Sequence, residues 1–320
     1  MRHVKWAVLV CMLGASASAS AQTYPSRPVR IVVPFAPGGA TDIVTRVVGQ
    51  KLGEAWGQTI VVDNRGGAGG NIGADIVAKA SPDGYTLLMT SGSIVTANPY
   101  IFRKLPYSPE KDLIAITNVA SGPQIIAVHP SFAAKTLKEL IAAAKAKPRS
   151  LSYGSAGIAT QTHLAAENVL YTAGIDLVHV PYKGEGPALT DLVGGQIQMV
   201  VANLSAAIGF VQQGKLRGLA VTSRERIRQL PDVPAVAETL PGFENLGWFG
   251  FVAPAGTPKA VVDKVHQDTV KVLQSADIRT RFEQLGMAPV GNTPAAFSKA
   301  IGEESVRWAK VIHERKLQVD

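Results

Sequence analysis

Short apolar runs alternate with amphipathic stretches almost from end to end of this chain, and that alternation leaves few folds open. Residues 29–35, 59–63, 85–90, 114–119, 124–128, 177–180, 197–201, 218–221 and 247–252 are rich in Val, Ile and Leu, with little period-two alternation. Strands covered on both faces read this way. Between them apolar residues recur at helical spacing: Ile43, Val44, Val47, Val48 and Leu52; Leu137, Leu140 and Ile141; Leu164, Val169 and Leu170; Val261, Val265, Val272 and Leu273; Phe297, Ile301, Trp308 and Ile312. Pro258 and Pro294 suit helix starts. The pattern predicts an α/β fold with a mostly parallel sheet in each domain.

The chain has 320 residues, and about 150 residues per domain suggests two domains. Residues 231–242 read as a long proline-rich connection, after which strand character returns. A chain that crosses to a second α/β domain and comes back has a cleft and a hinge. Crossings near 119–128 and 241–252 divide it into 22–122 plus 248–320, and 123–247.

The first residues read as a secretory signal: Arg2 and Lys5, an apolar run over 6–13, then Ala19-Ser20-Ala21 as a cleavage site. Cleavage after Ala21 starts the mature chain at Gln22. The single cysteine, Cys11, falls inside this signal, so no disulfide is expected. No later run is apolar for long enough to span a bilayer. These features point to a soluble periplasmic protein. The net charge is +8. Arg224, Arg226 and Arg228 cluster without interleaved aromatics, which reads as a solvated surface and not as a nucleic-acid site.

Three glycine-rich turns join predicted strands to helices: Pro37-Gly38-Gly39-Ala40-Thr41-Asp42, Gly154-Ser155-Ala156-Gly157 and Lys183-Gly184-Glu185-Gly186. A helix start offers unpaired N–H groups and partial positive charge, so it can hold an anion with no charged side chain. Lys183 supplies either a formal charge near an anion or a solvated lysine at the mouth. Glu185 opposes anion selectivity unless it points away. Gly66 to Gly73 fails both nucleotide patterns: Ile72 stands where the third glycine of G-x-G-x-x-G belongs, and no G-K-[ST] follows. It reads as a turn opening a helix over 72–80. Tyr153 replaces the first glycine of a nucleophile elbow, and Leu164 after His163 breaks H-E-x-x-H. The six histidines show no metal-ligand spacing. No cofactor or metal is expected. A small-carboxylate receptor is the leading expectation. A sensing receptor for a kinase and an α/β hydrolase are its rivals.

The run Tyr24-Pro25-Ser26-Arg27-Pro28-Val29-Arg30-Ile31-Val32-Val33-Pro34-Phe35 with Pro37-Gly38-Gly39 resembles the start of mature tripartite tricarboxylate transporter substrate-binding proteins, the Bug receptors. Asp63-Asn64-Arg65, Ser81-Pro82-Asp83-Gly84-Tyr85, Val180-Pro181-Tyr182-Lys183-Gly184, Gly214-Lys215-Leu216-Arg217 and Ala253-Pro254-Ala255-Gly256-Thr257-Pro258 carry the likeness over essentially the whole mature chain. The resemblance implies a two-lobed type II periplasmic-binding-protein (Venus flytrap) fold and a carboxylate held between lobes by N–H groups, hydroxyls and waters. It implies delivery to two membrane transporter subunits, and we expect a monomer. By position, Gly38, Gly39, Ala40, Thr41 and Asp42 face Ser155, Ala156, Gly157, Thr160 and Thr162 across the cleft, with Ser91, Ser93, Lys183, Ala202 and Asn203 as further candidates. Many relatives carry aspartate in the slot of Ala202, where it can pair with a ligand ammonium. Its absence predicts a ligand without an amino group. Ile158 and Ala159 replace polar residues and predict an apolar wall. Glu185 replaces a small residue.

Overall fold

The computed structural model describes residues 24–319. The secretory signal and its cleavage site lie outside the described residues. From the N-terminal side the order is β1 (Val29–Val33), α1 (Ala40–Trp56), β2 (Ile60–Asn64), α2 (Asn71–Ala78) and β3 (Thr86–Ser91). Three short helices, α3 (Gly92–Thr96), α4 (Asn98–Ile101) and α5 (Pro109–Asp112), lead into the 16-residue β4 (Leu113–Val128). Then come α6 (Leu137–Ala146), β5 (Ser152–Ser155), α7 (Gln161–Ala173), β6 (Val178–Pro181), α8 (Glu185–Val193), β7 (Met199–Asn203), α9 (Leu204–Gln212) and β8 (Arg217–Val221). The chain returns through β9 (Leu246–Pro254), α10 (Lys259–Gln274), α11 (Ala276–Gln284), β10 (Ala288–Pro289) and α12 (Pro294–Arg315).

The strands line up as β2-β1-β3-β9-β4-β7-β5-β6, with β8 and β10 also on β4. The flanks β2-β1-β3 and β7-β5-β6 are parallel, as crossover helices require. The middle is not: β9 runs antiparallel to β3 and β4, and β4 antiparallel to β7 and β8. The sheet is therefore mixed. The two runs expected at 114–119 and 124–128 are one strand. Over Leu113 to Pro123 it pairs with β9, and from Gln124 to Val128 with β7 and β8. One strand thus serves two half-sheets.

Helices cover both faces of each half. On α1 the stripe Val44, Val48 and Leu52 is fully buried beneath β1 and β3. Burying a side chain of that size contributes about 1.5–3 kcal/mol. Gly57 ends α1 in the left-handed conformation. Ala74 and Val77 of α2 close the opposite face with Val32 and Leu88. In the second half, Tyr153, Leu140, Val169 and Val201 share a separate core. This packing leaves the exits of β1, β3, β5, β6 and β7 as the places where polar loops meet.

Candidate functional site

The loop after β1 meets the loop after β6. The Ala36 N–H donates to the Lys183 carbonyl at 2.9 Å. Glycines make this approach possible. A Cβ on Gly186 would fall 2.3 Å from the Pro37 carbonyl oxygen, and one on Gly69 (φ +63°) 2.5 Å from that of Ile158. At Gly186 and Gly69 the missing side chain lets two backbones near each other. A groove of about 550 Å³ runs beside the contact, lined by Pro37, Gly38, Tyr182, Pro187 and Asp191 among others.

At the head of α1, the Ala40 N–H donates to Glu185 Oε2 at 2.8 Å. Glu185 Oε1 accepts from the Asn203 main-chain N–H and from Asn203 Nδ2, the latter at 2.9 Å. Glu185 is only 4 % exposed. Burial pushes its carboxyl above the usual range, against the hydrogen bonds from Ala40 and Asn203. The acid does not point away, as anion selectivity of its loop would require. It fills the space between two helix starts. The sequence signal was an acid directly after a glycine at the head of a helix.

Asp42 was expected to face a ligand. Its carboxylate is instead consumed by its own side of the molecule. It accepts from the Gly38 N–H at 3.1 Å, from Arg46 Nε at 3.0 Å and from Asn64 Nδ2 at 3.0 Å. Burial opposes its ionisation, but the bonds from Arg46, Gly38 and Asn64 hold it below the ordinary aspartate range. What Thr41 and Asp42 keep for a partner is the N–H of a first helical turn, which has no acceptor inside the helix.

The loop after β5 also closes on itself. Thr162 Oγ1 accepts from the Ala156 N–H at 3.0 Å, and Ser155 Oγ accepts from the Gly157 N–H at 3.1 Å. Thr160 caps α7 and donates to the Gly157 carbonyl at 2.7 Å. The resemblance carried Ser155, Ala156, Gly157, Thr160 and Thr162 toward a ligand. The structure turns these groups toward one another, because buried polar atoms need partners. Ser155 Oγ lies 2.7 Å from His179 Nε2, which resembles a nucleophile and its base. Yet Ser155 is fully buried. Burial and the neighbouring His163 push His179 down to about 3, so it is a poor base at neutral pH. Its ring is stacked between Tyr153 and His163. The stack and the Ser155–His179 bond tie β5, β6 and α7 together.

Lys183 is exposed and contributes its carbonyl, not its ammonium. Ala202 lies in β7 opposite Ile125, fully buried and without a polar side-chain atom. Asn203 stands at the start of α9 without a side-chain cap bond to it, and Gln161 Nε2 reaches its Oδ1 at 3.3 Å. Gln161 in turn accepts from the Trp248 N–H at 3.2 Å. Ile158 is partly exposed while Ala159 is buried. Ser91 and Ser93 are 1 % and 2 % exposed, and their hydroxyls have no partner among the described residues. They flank Gly92, where a Cβ would fall 2.9 Å from the Trp248 indole. A buried hydroxyl without a partner costs about 1–3 kcal/mol. This pair is thus the least satisfied part of the site. The structure brings Ala40, Asn203 and Glu185 together, and leaves the hydroxyls of Ser91 and Ser93 free.

Residues 44–317 match the family model described as the tripartite tricarboxylate transporter family receptor. The solved periplasmic binding protein BugD is 35% identical, with a TM-score of 0.88 over 92% of this chain and 99% of its own. Rpa4515 of R. palustris, solved with adipate, is 34% identical, with a TM-score of 0.88 over 91% and 97%. MatC from Rhodopseudomonas palustris, solved with bound malate, is 33% identical, with a TM-score of 0.85 over 90% and 100%. The family and these neighbours are solute-binding proteins, not enzymes.

Proposed function

This chain belongs to the tripartite tricarboxylate transporter receptor family, and from that premise we propose that it captures a small carboxylate between two lobes and delivers it to the membrane subunits of a transporter of that type. We read 22–122 with 248–320 as one lobe and 123–247 as the other. The change of partners along β4, between Pro123 and Gln124, supports that division. Export with cleavage after Ala21, and a monomeric receptor, complete the reading.

The observation that carries it is the meeting of strand exits from both half-sheets around amides and hydroxyls, in a chain whose relatives Rpa4515 and MatC were solved with adipate and malate. In this reading the loops are in their closed arrangement. The solute carboxylate takes the Ser91 and Ser93 hydroxyls and the Thr41 and Asp42 amides of α1. Hydrogen bonds to a charged group contribute about 1.5–3 kcal/mol each. Ala202 leaves no counter-charge for an ammonium, so the solute lacks an amino group.

Calorimetric titration with adipate, malate, aspartate and glutamate tests this. We expect a plain dicarboxylate to bind more tightly than either amino acid. Aspartate or glutamate binding best removes the Ala202 argument, and failure of every carboxylate removes the function.

A further inference from the structure

We propose that the groove between α9 and α11 is a second ligand site, built for a small organic acid with an apolar body. It holds about 550 Å³, within the range of small-molecule pockets. None of the residues assigned to the solute above lines it. One wall is a single face of α9, where Ser205, Gly209 and Gln212 recur at helical spacing. The other comes from the end of α11, with Arg281 and Gln284, and from Leu285 directly after it.

Gly209 lies inside α9, where glycine costs about 0.5–1 kcal/mol relative to alanine. A Cβ there would meet nothing within 4 Å. No packing requires the glycine, and what it keeps open is the groove. Ser205, one turn earlier, is buried, and its hydroxyl has no partner among the described residues. An acceptor on a bound molecule would supply one. Among the described residues that line the groove, Arg281 alone is charged. Its Nη1 donates to Gln284 Oε1 at 3.4 Å, a long bond. The acids nearest it on α11 are taken elsewhere, Asp277 by Lys51 at 2.8 Å and Glu283 by Arg228 at 2.6 Å. The planar fork of an arginine matches a carboxylate. Ile43, Ile208 and Phe210 offer apolar surface to the rest of such a molecule.

Gln229, which also lines the groove, donates from Nε2 to the Glu283 carbonyl at 2.6 Å and so ties the segment after β8 to α11. The walls belong to both halves of the chain. An occupant therefore favours the arrangement in which those halves meet.

The test uses hexanoate as the probe and hexanamide as its neutral counterpart, each titrated by calorimetry. Hexanoate should bind saturably. Arg281→Gln should weaken it about tenfold, a difference of about 1.4 kcal/mol, and leave hexanamide unchanged. Gly209→Phe, which fills the groove, should abolish binding of both. A variant carrying Ser91→Ala and Ser93→Ala should bind both as before. No binding of hexanoate, equal affinity in R281Q or G209F and the unsubstituted protein, or loss in the serine variant, which would put the probe in the solute cleft, overturns the proposal.

Gly209→Ala provides a second arm should G209F not fold. It should raise the Tm, since alanine is the better helix former and its Cβ is unobstructed, and it should weaken hexanoate. A lowered Tm would mean that packing requires the glycine, and that result, like unchanged hexanoate affinity, counts against the proposal. Adipate and malate failing to bind the unsubstituted protein would end the solute-receptor reading alone, since neither arm uses them.

Discussion

Gly186 has no room for a side chain. A Cβ there would meet the Pro37 carbonyl at 2.3 Å, and the obstacle is backbone, which cannot swing aside. Gly186→Ala should therefore hold the two loops apart in an otherwise folded protein. We expect solute affinity to fall by about tenfold or more, since loss of one closed-state contact of about 1.4 kcal/mol suffices. Calorimetry reads the affinity, and circular dichroism checks the fold; unchanged affinity means closure does not need this contact. At this scale the sequence was half legible. Glycine at 38, 39, 184 and 186 marked turns where something must come close. Local sequence does not say that the something is another loop. Nor does it say that the acid at 185 meets an amide at 40, because that bond spans 145 positions and depends on tertiary packing. Asp42 shows the converse. An acid in a first helical turn reads equally as a ligand contact or as a cap, and here Arg46 and Asn64 claim it.

The elements β5, β6 and α7 are tied by a stack of Tyr153, His179 and His163 beneath the loop of Ser155. β5 was expected only as an unbounded strand before the Gly154 turn, because Ser152-Tyr153-Gly154-Ser155 lacks the apolar run that marked its neighbours. The stack makes stability depend on pH. The unfolded chain takes up a proton on His179 near the ordinary value of about 6.5. The folded protein resists it down to about 3. Between those values the unfolded state binds more protons, so stability falls as pH falls, by at most about 1.4 kcal/mol per pH unit. Burial depresses His163 as well, against the attraction of Glu167, and adds to the same slope. Denaturant unfolding at several pH values should show this loss, and His179→Phe, which keeps an aromatic in the stack, should flatten it. An equal slope in both proteins would assign acid sensitivity elsewhere. Asp42 acts lower down. Its depressed pKa stabilises the fold above the ordinary aspartate value of about 3.9 and loses that contribution as pH drops further. Asp42→Asn should therefore leave the slope above pH ~5 intact.

Across the whole molecule, strand identity was legible and strand direction was not. Apolar runs show that a strand is buried, but they are silent on whether β9 runs with or against β3. Gly122-Pro123 interrupts the apolar pattern of β4 and made one strand read as two, although that interruption is where its partners change. Besides a shared apolar core and β4, the two halves meet through hydrogen bonds between their elements, and one of them carries a natural reporter. The Trp248 N–H, on β9, donates to Gln161 on α7. The indole donates to Glu304 at 2.7 Å and lies against Gly92, between the unpartnered Ser91 and Ser93. Opening of the cleft must break the bond to Gln161, and solute reaching Ser91 and Ser93 must arrive beside the indole. Trp248 emission should thus shift or be quenched saturably on titration with a binding carboxylate, with the midpoint found by calorimetry. Trp56, held by Asp268 on the far side of α1, should not respond. Trp248→Phe should abolish the optical change while calorimetric binding survives within about tenfold, because the hydroxyls and amides remain. Carboxylate binding detected by heat, with Trp248 emission constant, would place the solute away from Ser91 and Ser93 and would separate capture from movement of the two halves.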